Sequence, residues 1–236
     1  MKQTFTHYAH VDLSSLLLEF STSLNGLDAK TAHTHLAKYG PNTFDLSRKR
    51  PAVIEWLASF FSPLPILLLI LCAVSWMVGE AKGALVIGSM VFLSITLAFI
   101  QEHRSTRAAE KLKELVSIKI SVIRHGELID IPMREVVPGD LVNLSAGDII
   151  PGDLRLIEAK DLFVDQSSLT GEAIPAEKQA HAVQQAGTGY DTPNICFMGS
   201  HVTSGLGKGL VFATAIDTHF GHLAKDITSR RKKTGF

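Results

Sequence analysis

The chain has 236 residues, 46% of them hydrophobic and 19% charged, and 23 Lys+Arg balance 23 Asp+Glu to a formal net charge of zero. Neutrality removes the basic excess of a dedicated nucleic-acid binder, and the apolar content removes a disordered chain. Two cysteines, Cys72 and Cys196, cannot staple a disulfide scaffold and lack metal-ligand spacing, which fits a reducing compartment or a membrane interior.

The size suggests one or two domains, and the clustering of the apolar residues points to lipid. Residues 1–50 are polar and read as a helical N-terminal cytoplasmic segment. Asp28 is placed to cap a helix on which Ala32, Leu36 and Tyr39 share a face, and Gly40-Pro41 supplies the stop. Asp12 to Phe20 carries Leu13, Leu16, Leu17 and Phe20 on another helix face. No signal peptide is expected, because the first long apolar run begins some fifty residues in.

Residues 51–100 hold two apolar runs, and two transmembrane helices are expected at about 57–78 and 83–101. Each reaches the ~20 residues that a helix needs to cross hydrocarbon. Only Gly79-Glu80-Ala81-Lys82-Gly83 lies between them, which implies an antiparallel hairpin. Trp56 and Trp76 bracket the first run as interfacial aromatics. Pro63 and Pro65 stand near its start and can kink it. Arg48, Lys49 and Arg50 precede the first run, and Arg104, Arg107, Lys111 and Lys113 follow the second. Both outer ends, and with them both termini, are therefore expected in the cytoplasm of a multi-pass plasma (inner) membrane protein.

Residues 101–117 continue as a charged stalk helix without a breaker. From 118 to 226 the period changes to two, and short strands are expected at Ile118–Ile123, Glu127–Ile131, Leu141–Leu144, Asp153–Glu158, Ile195–Met198 and Leu210–Ala215. His125-Gly126, Pro138-Gly139-Asp140, Gly147-Asp148 and Pro151-Gly152-Asp153 supply turns, so an all-β cytoplasmic domain follows. Residues 227–236 carry the basic cluster Arg230-Arg231-Lys232-Lys233, like the flank of another span.

Chemistry concentrates in Asp161 to Lys178, where Thr170-Gly171-Glu172 puts a carboxylate beside a glycine. Glycine permits a sharp loop, and an exposed carboxylate at its tip can orient a water and accept its proton. Taken alone the tripeptide reads as a surface turn. Its context is a pair of membrane helices, a stalk, PGDLVNLSAGDIIPGDLRL (Pro138 to Leu156) and DQSSLTGEAIPAEK (Asp165 to Lys178), in that order. Together with GLDAKTAHTHLAKYGPN (Gly26 to Asn42) these resemble the first part of a P-type cation-transporting ATPase. FSPLPILLLIL, IQEHRSTRAAEKLKELVS and NICFMGSHVTSG are similar to the bacterial magnesium-transporting branch, with calcium pumps sharing the general signatures.

The resemblance implies a membrane α-helical hairpin plus an all-β cytoplasmic actuator domain, distorted jelly-roll-like, with the small helical N-terminal segment. It implies that an aspartate in a separate domain is phosphorylated by ATP, and that the actuator then brings its loop to the aspartyl phosphate. Glu172 would position the hydrolytic water, and Thr170 and Gly171 would shape the loop. Mg2+ and ATP serve the complete family member; no cofactor or metal is expected on this chain. Expected partners are membrane lipid and the remaining ATPase domains, on the same or a complementary chain, and no nucleic acid. With no DKTGT and no nucleotide-binding region in these residues, the chain is expected to be inactive alone, as an N-terminal fragment of a pump. The rival readings are a stand-alone membrane regulator of an intact pump and a gene remnant.

Two departures from the family pattern stand out: Ala173 where TGES has serine, and Gly152 where IPAD has alanine. Gly205-Leu206-Gly207-Lys208-Gly209 reads as a β-turn and not as a phosphate loop. His33, His35, His219 and His222 read as surface histidines. Glu55, Glu80 and Glu102 read as interfacial groups, and Ser75, Ser89, Ser94 and Thr96 as helix-packing or path-lining hydroxyls.

Overall fold

A computed structural model describes residues 4–44, 52–115, 118–181 and 190–225. Two compact units result, one from Met1–Asp45 with Ile118–Phe236 and one from Leu46–Ser117. The basic clusters at 48–50 and 230–233 lie outside the described residues.

The first unit begins with three helices, α1 (Thr4–His10), α2 (Leu13–Glu19) and α3 (Ala29–Tyr39). Asp12 caps α2 and Asp28 caps α3, the latter accepting from Thr31 N at 2.5 Å. Gly40 ends α3 at φ 80°, a backbone that favours glycine. The expected cap at Asp28 and stop at Gly40 are thus in place.

These helices cover a seven-stranded antiparallel sheet, as counted among the described residues. Its strands are β1 (Lys119–Arg124), β2 (Glu127–Pro132), β3 (Leu141–Ser145), β4 (Asp153–Asp165), β5 (Ala176–Lys178), β6 (Ile195–Cys196) and β7 (His201–Ala213). The order is β2-β1-β3-β7-β4-β5, with β6 on β4. His125 and Gly126 both take positive φ between β1 and β2, as a two-residue primed hairpin turn requires.

The sheet differs from expectation at β4 and β7, which are 13 residues each. The run Gly205–Gly209 is not a β-turn but the middle of β7, paired with β3 and β4. Its glycines are there for close approach. A Cβ on Gly205 would overlap the Asp161 carbonyl, and on Gly207 it would lie 2.9 Å from Leu162 Cδ2.

One core cluster is built from Val122, Leu144, Ile150, Leu154, Leu156, Leu162 and Val164. A second joins Ala9, Leu16 and Phe20 of the N-terminal helices to Leu141, Ile195, Phe197, Leu210 and Phe212, with the Tyr8 ring stacked 4.4 Å from that of Phe212. Burying such side chains stabilises by about 1.5–3 kcal/mol each. Polar contacts fix the same interface. Buried Asn42 donates to Pro151 O (2.8 Å) and Met133 O (3.2 Å) and accepts from Ala215 N (2.8 Å). At the end of β1, Arg124 grips fully buried Asp140 through two 2.8 Å bonds, and Asp140 also accepts from Val137 N at 2.9 Å.

The second unit contains α4 (Ala52–Ser59), α5 (Pro63–Met77) and α6 (Ala81–Leu115). The first expected span, 57–78, is broken at Phe60–Ser62, where Pro63 at the start of α5 fits the first turn of a helix but not the interior of one. The 15 residues of α5 give a rise of about 22 Å. Among the described residues, one helical stretch, Ala81–Arg104, is long and apolar enough to cross a bilayer. Within the unit, Cys72 Sγ lies 3.2 Å from Ala84 O, and the Trp56 and Phe92 rings meet edge to face at 5.8 Å. Ala84, Val91 and Ile95 are buried on one side of α6, while Leu85, Met90 and Leu93 are exposed. Ser89 and Thr96 donate to carbonyls of their own helix, Val86 O and Phe92 O, both at 2.8 Å.

Candidate functional site

The site starts where β4 ends. Asp165 Oδ1 accepts from Ser167 N at 2.8 Å, which turns the chain into α7 (Ser167–Thr170), a single helical turn. That bond and a second from the Ser167 side chain hold the Asp165 carboxyl below its ordinary range. Leu169 N and Thr170 N both donate to Gln166 O, and Thr170 Oγ1 donates back to it at 3.1 Å.

Gly171 closes the turn at φ 76°, ψ −1°, its N–H bonded to Ser167 O at 2.8 Å. This left-handed conformation suits glycine and reverses the chain, so the next residue leaves the domain surface. Glu172 is exposed, and its backbone N–H donates to Thr170 Oγ1 at 3.1 Å. Thr170, Gly171 and Glu172 therefore form one hydrogen-bonded tip whose carboxylate points to solvent-accessible space. Ala173 and Ile174 beside it are exposed too, Ile174 by 84%. A freely approached carboxylate can hold a water and take its proton, provided an electrophile is brought to it.

Asp153, expected at a Pro151-Gly152-Asp153 turn and the start of a strand, opens β4 and is buried. Its carboxylate accepts from Met198 N at 2.9 Å and from His219 N at 2.6 Å, and burial pushes its pKa up to about 6. Gly152 before it has a local reason: a Cβ there would come within 2.6 Å of Ala213 O. His219 is no free surface histidine. It is half-buried, which lowers its pKa, with Nε2 2.9 Å from Tyr190 Oη and its ring packed on Tyr190 and Phe197. His35 is likewise anchored, Nδ1 to Pro138 O at 2.7 Å, whereas His33 is exposed.

The described residues contain no group of three or more His, Cys, Asp or Glu able to hold a metal ion. The Gly205–Gly209 run is engaged in the sheet, paired with β3 and β4.

Residues 114–228 match the P-type ATPase actuator domain, and residues 8–75 match the cation transporter/ATPase N-terminus. The chain belongs to the P-type cation-transporting ATPases. Its curated relatives include Magnesium-transporting ATPase, P-type 1 of Escherichia coli K12, 38% identical over 91% of this chain and 25% of its own length. Calcium-transporting ATPase type 2C member 1 of mouse is 39% identical over 85% of this chain and 22% of its own. The Calcium-transporting ATPase of Bacillus subtilis is 35% identical over 92% and 24%. This P-type ATPase chain thus spans about a quarter of the length of the relatives it matches, and magnesium and calcium transporters stand at similar identity.

Proposed function

We propose that this chain supplies the dephosphorylation and coupling module of a cation pump. Glu172 orients a water for attack on an aspartyl phosphate carried by another domain and takes its proton, while Thr170 and Gly171 hold the tip in shape. The observation that carries this reading is the exposed Glu172 on a hydrogen-bonded turn ended by a left-handed Gly171, within an actuator-domain match.

The α5–α6 pair is proposed as the membrane hairpin, with α6 crossing over Ala81–Arg104 and α5 extended by interfacial residues. The sheet unit is proposed as the family's distorted jelly roll on the cytoplasmic side. Because the chain passes from one unit to the other on both sides of residues 46–117, movement of the sheet unit pulls on the helices and couples hydrolysis to gating.

The proposed cargo is Mg2+, supported by the 38% identity to the E. coli magnesium transporter. Ca2+ is the second reading, on the comparable identity of the calcium transporters. The test supplies the remaining ATPase domains to the membrane-bound chain. Phosphoenzyme should accumulate with Glu172→Gln and turn over with the parent, and stimulation by Mg2+ against Ca2+ selects the cargo. Equal phosphoenzyme levels in parent and variant would refute the role of Glu172.

A further inference from the structure

The loop that carries Glu172 is short, and a four-residue helix cannot hold its own orientation. Three side chains fix α7 to the domain below. Ser168 Oγ donates to Gly199 O at 3.3 Å. Leu169 packs against the cluster that contains Ile195, Phe197, Leu210 and Phe212. Buried Gln166 sends Nε2 to Tyr190 O at 3.5 Å. The two hydrogen bonds end on Tyr190 and Gly199, and the cluster under Leu169 includes Ile195 and Phe197.

These residues converge on one carboxylate. Asp153 Oδ1 holds Met198 N, next to the Gly199 that receives Ser168. Asp153 Oδ2 holds His219 N, and the imidazole of His219 touches the Tyr190 hydroxyl and packs on Phe197. Tyr190 and Phe197 meet edge to face at 5.3 Å. A buried carboxylate with two backbone donors is a rigid fixture, since neither partner can move without stranding a charge in a dry site.

We infer that Asp153 is a positioning residue for Glu172: with His219, Tyr190 and Phe197 it forms the platform on which α7 is seated, and Ser168 is the hook. This rests on the proposed role of Glu172 for its functional meaning, but the seating itself is a property of this chain.

The test uses the whole chain in detergent with a spin label at Ala173→Cys, in a Cys72→Ser background that leaves Cys196 buried. Ser168→Ala and Asp153→Asn should each lower the ratio of seated to unseated loop about five- to tenfold, the equivalent of one hydrogen bond. The double variant should be no looser than Asp153→Asn, because both act through Gly199. Asp130→Asn, on the exposed β2 hairpin strand, should leave the label unchanged. Label mobility equal to that control in Ser168→Ala, with the melting temperature unmoved, would overturn the inference even if Asp153→Asn fails to fold. Additive loosening in the double variant would overturn it as well. Phosphoenzyme decay measured on the same variants separates the two ideas. A looser loop with decay indifferent to Glu172→Gln removes the hydrolytic role and leaves the platform. Decay dependent on Glu172 with an unaltered label removes the platform alone.

Discussion

Single residues decide where the loop stands and how the sheet closes. Asp153 is one, and its burial has a consequence for pH. Its folded pKa of about 6 lies above the ordinary 3.8, so the folded state holds the proton more tightly than the unfolded chain. The contribution is fully present below about pH 4 and is lost as pH rises through about 6. Urea unfolding of the sheet unit should show this slope in the parent and lack it in Asp153→Asn. Gly205 is another. Its φ of +84° and the overlap awaiting any Cβ with the Asp161 carbonyl predict that Gly205→Ala destabilises by about 3 kcal/mol, read as a lower urea midpoint at constant slope. Gly171 has the same backbone hand but nothing within 4 Å of its would-be Cβ, so Gly171→Ala should cost only about 1 kcal/mol.

At the scale of elements, local signals were legible and long-range ones were not. Asp28 and Gly40 delimit α3 through bonds to residues at most four away, so the sequence carries them. His125-Gly126 announces its hairpin for the same reason. β7 misled because Gly205, Gly207 and Gly209 look like turn residues, while what demands them is the passage of β4, some fifty residues earlier. His219 looked solitary because Asp153 and Tyr190 are 66 and 29 residues away in the chain. Thr170-Gly171-Glu172 was visible as a motif, but the platform under it was not. Asn42 shows how tightly the N-terminal helices belong to the sheet. Asn42→Ala strands a carbonyl at Pro151 and an N–H at Ala215, so a loss of about 3 kcal/mol is expected in the same urea assay.

For the whole molecule, two units with opposite surface chemistry share one chain. The sheet unit buries its apolar residues, whereas α5 and α6 leave Leu67, Ile70, Leu85, Met90 and Leu93 exposed. That exposure has a physical outlet in lipid, and the 35 residues of α6, about 50 Å of helix, exceed the ~30 Å of hydrocarbon. The expressed chain should therefore stay with the membrane pellet through alkaline extraction; release into the supernatant would contradict the crossing. Single-turnover decay of the aspartyl phosphate on supplied complementary domains tests the hydrolytic role proposed for Glu172. Removing a positioned base should slow decay by about 10²–10⁴-fold in Glu172→Gln, with binding of those domains unchanged. Decay at the parent rate would contradict the account.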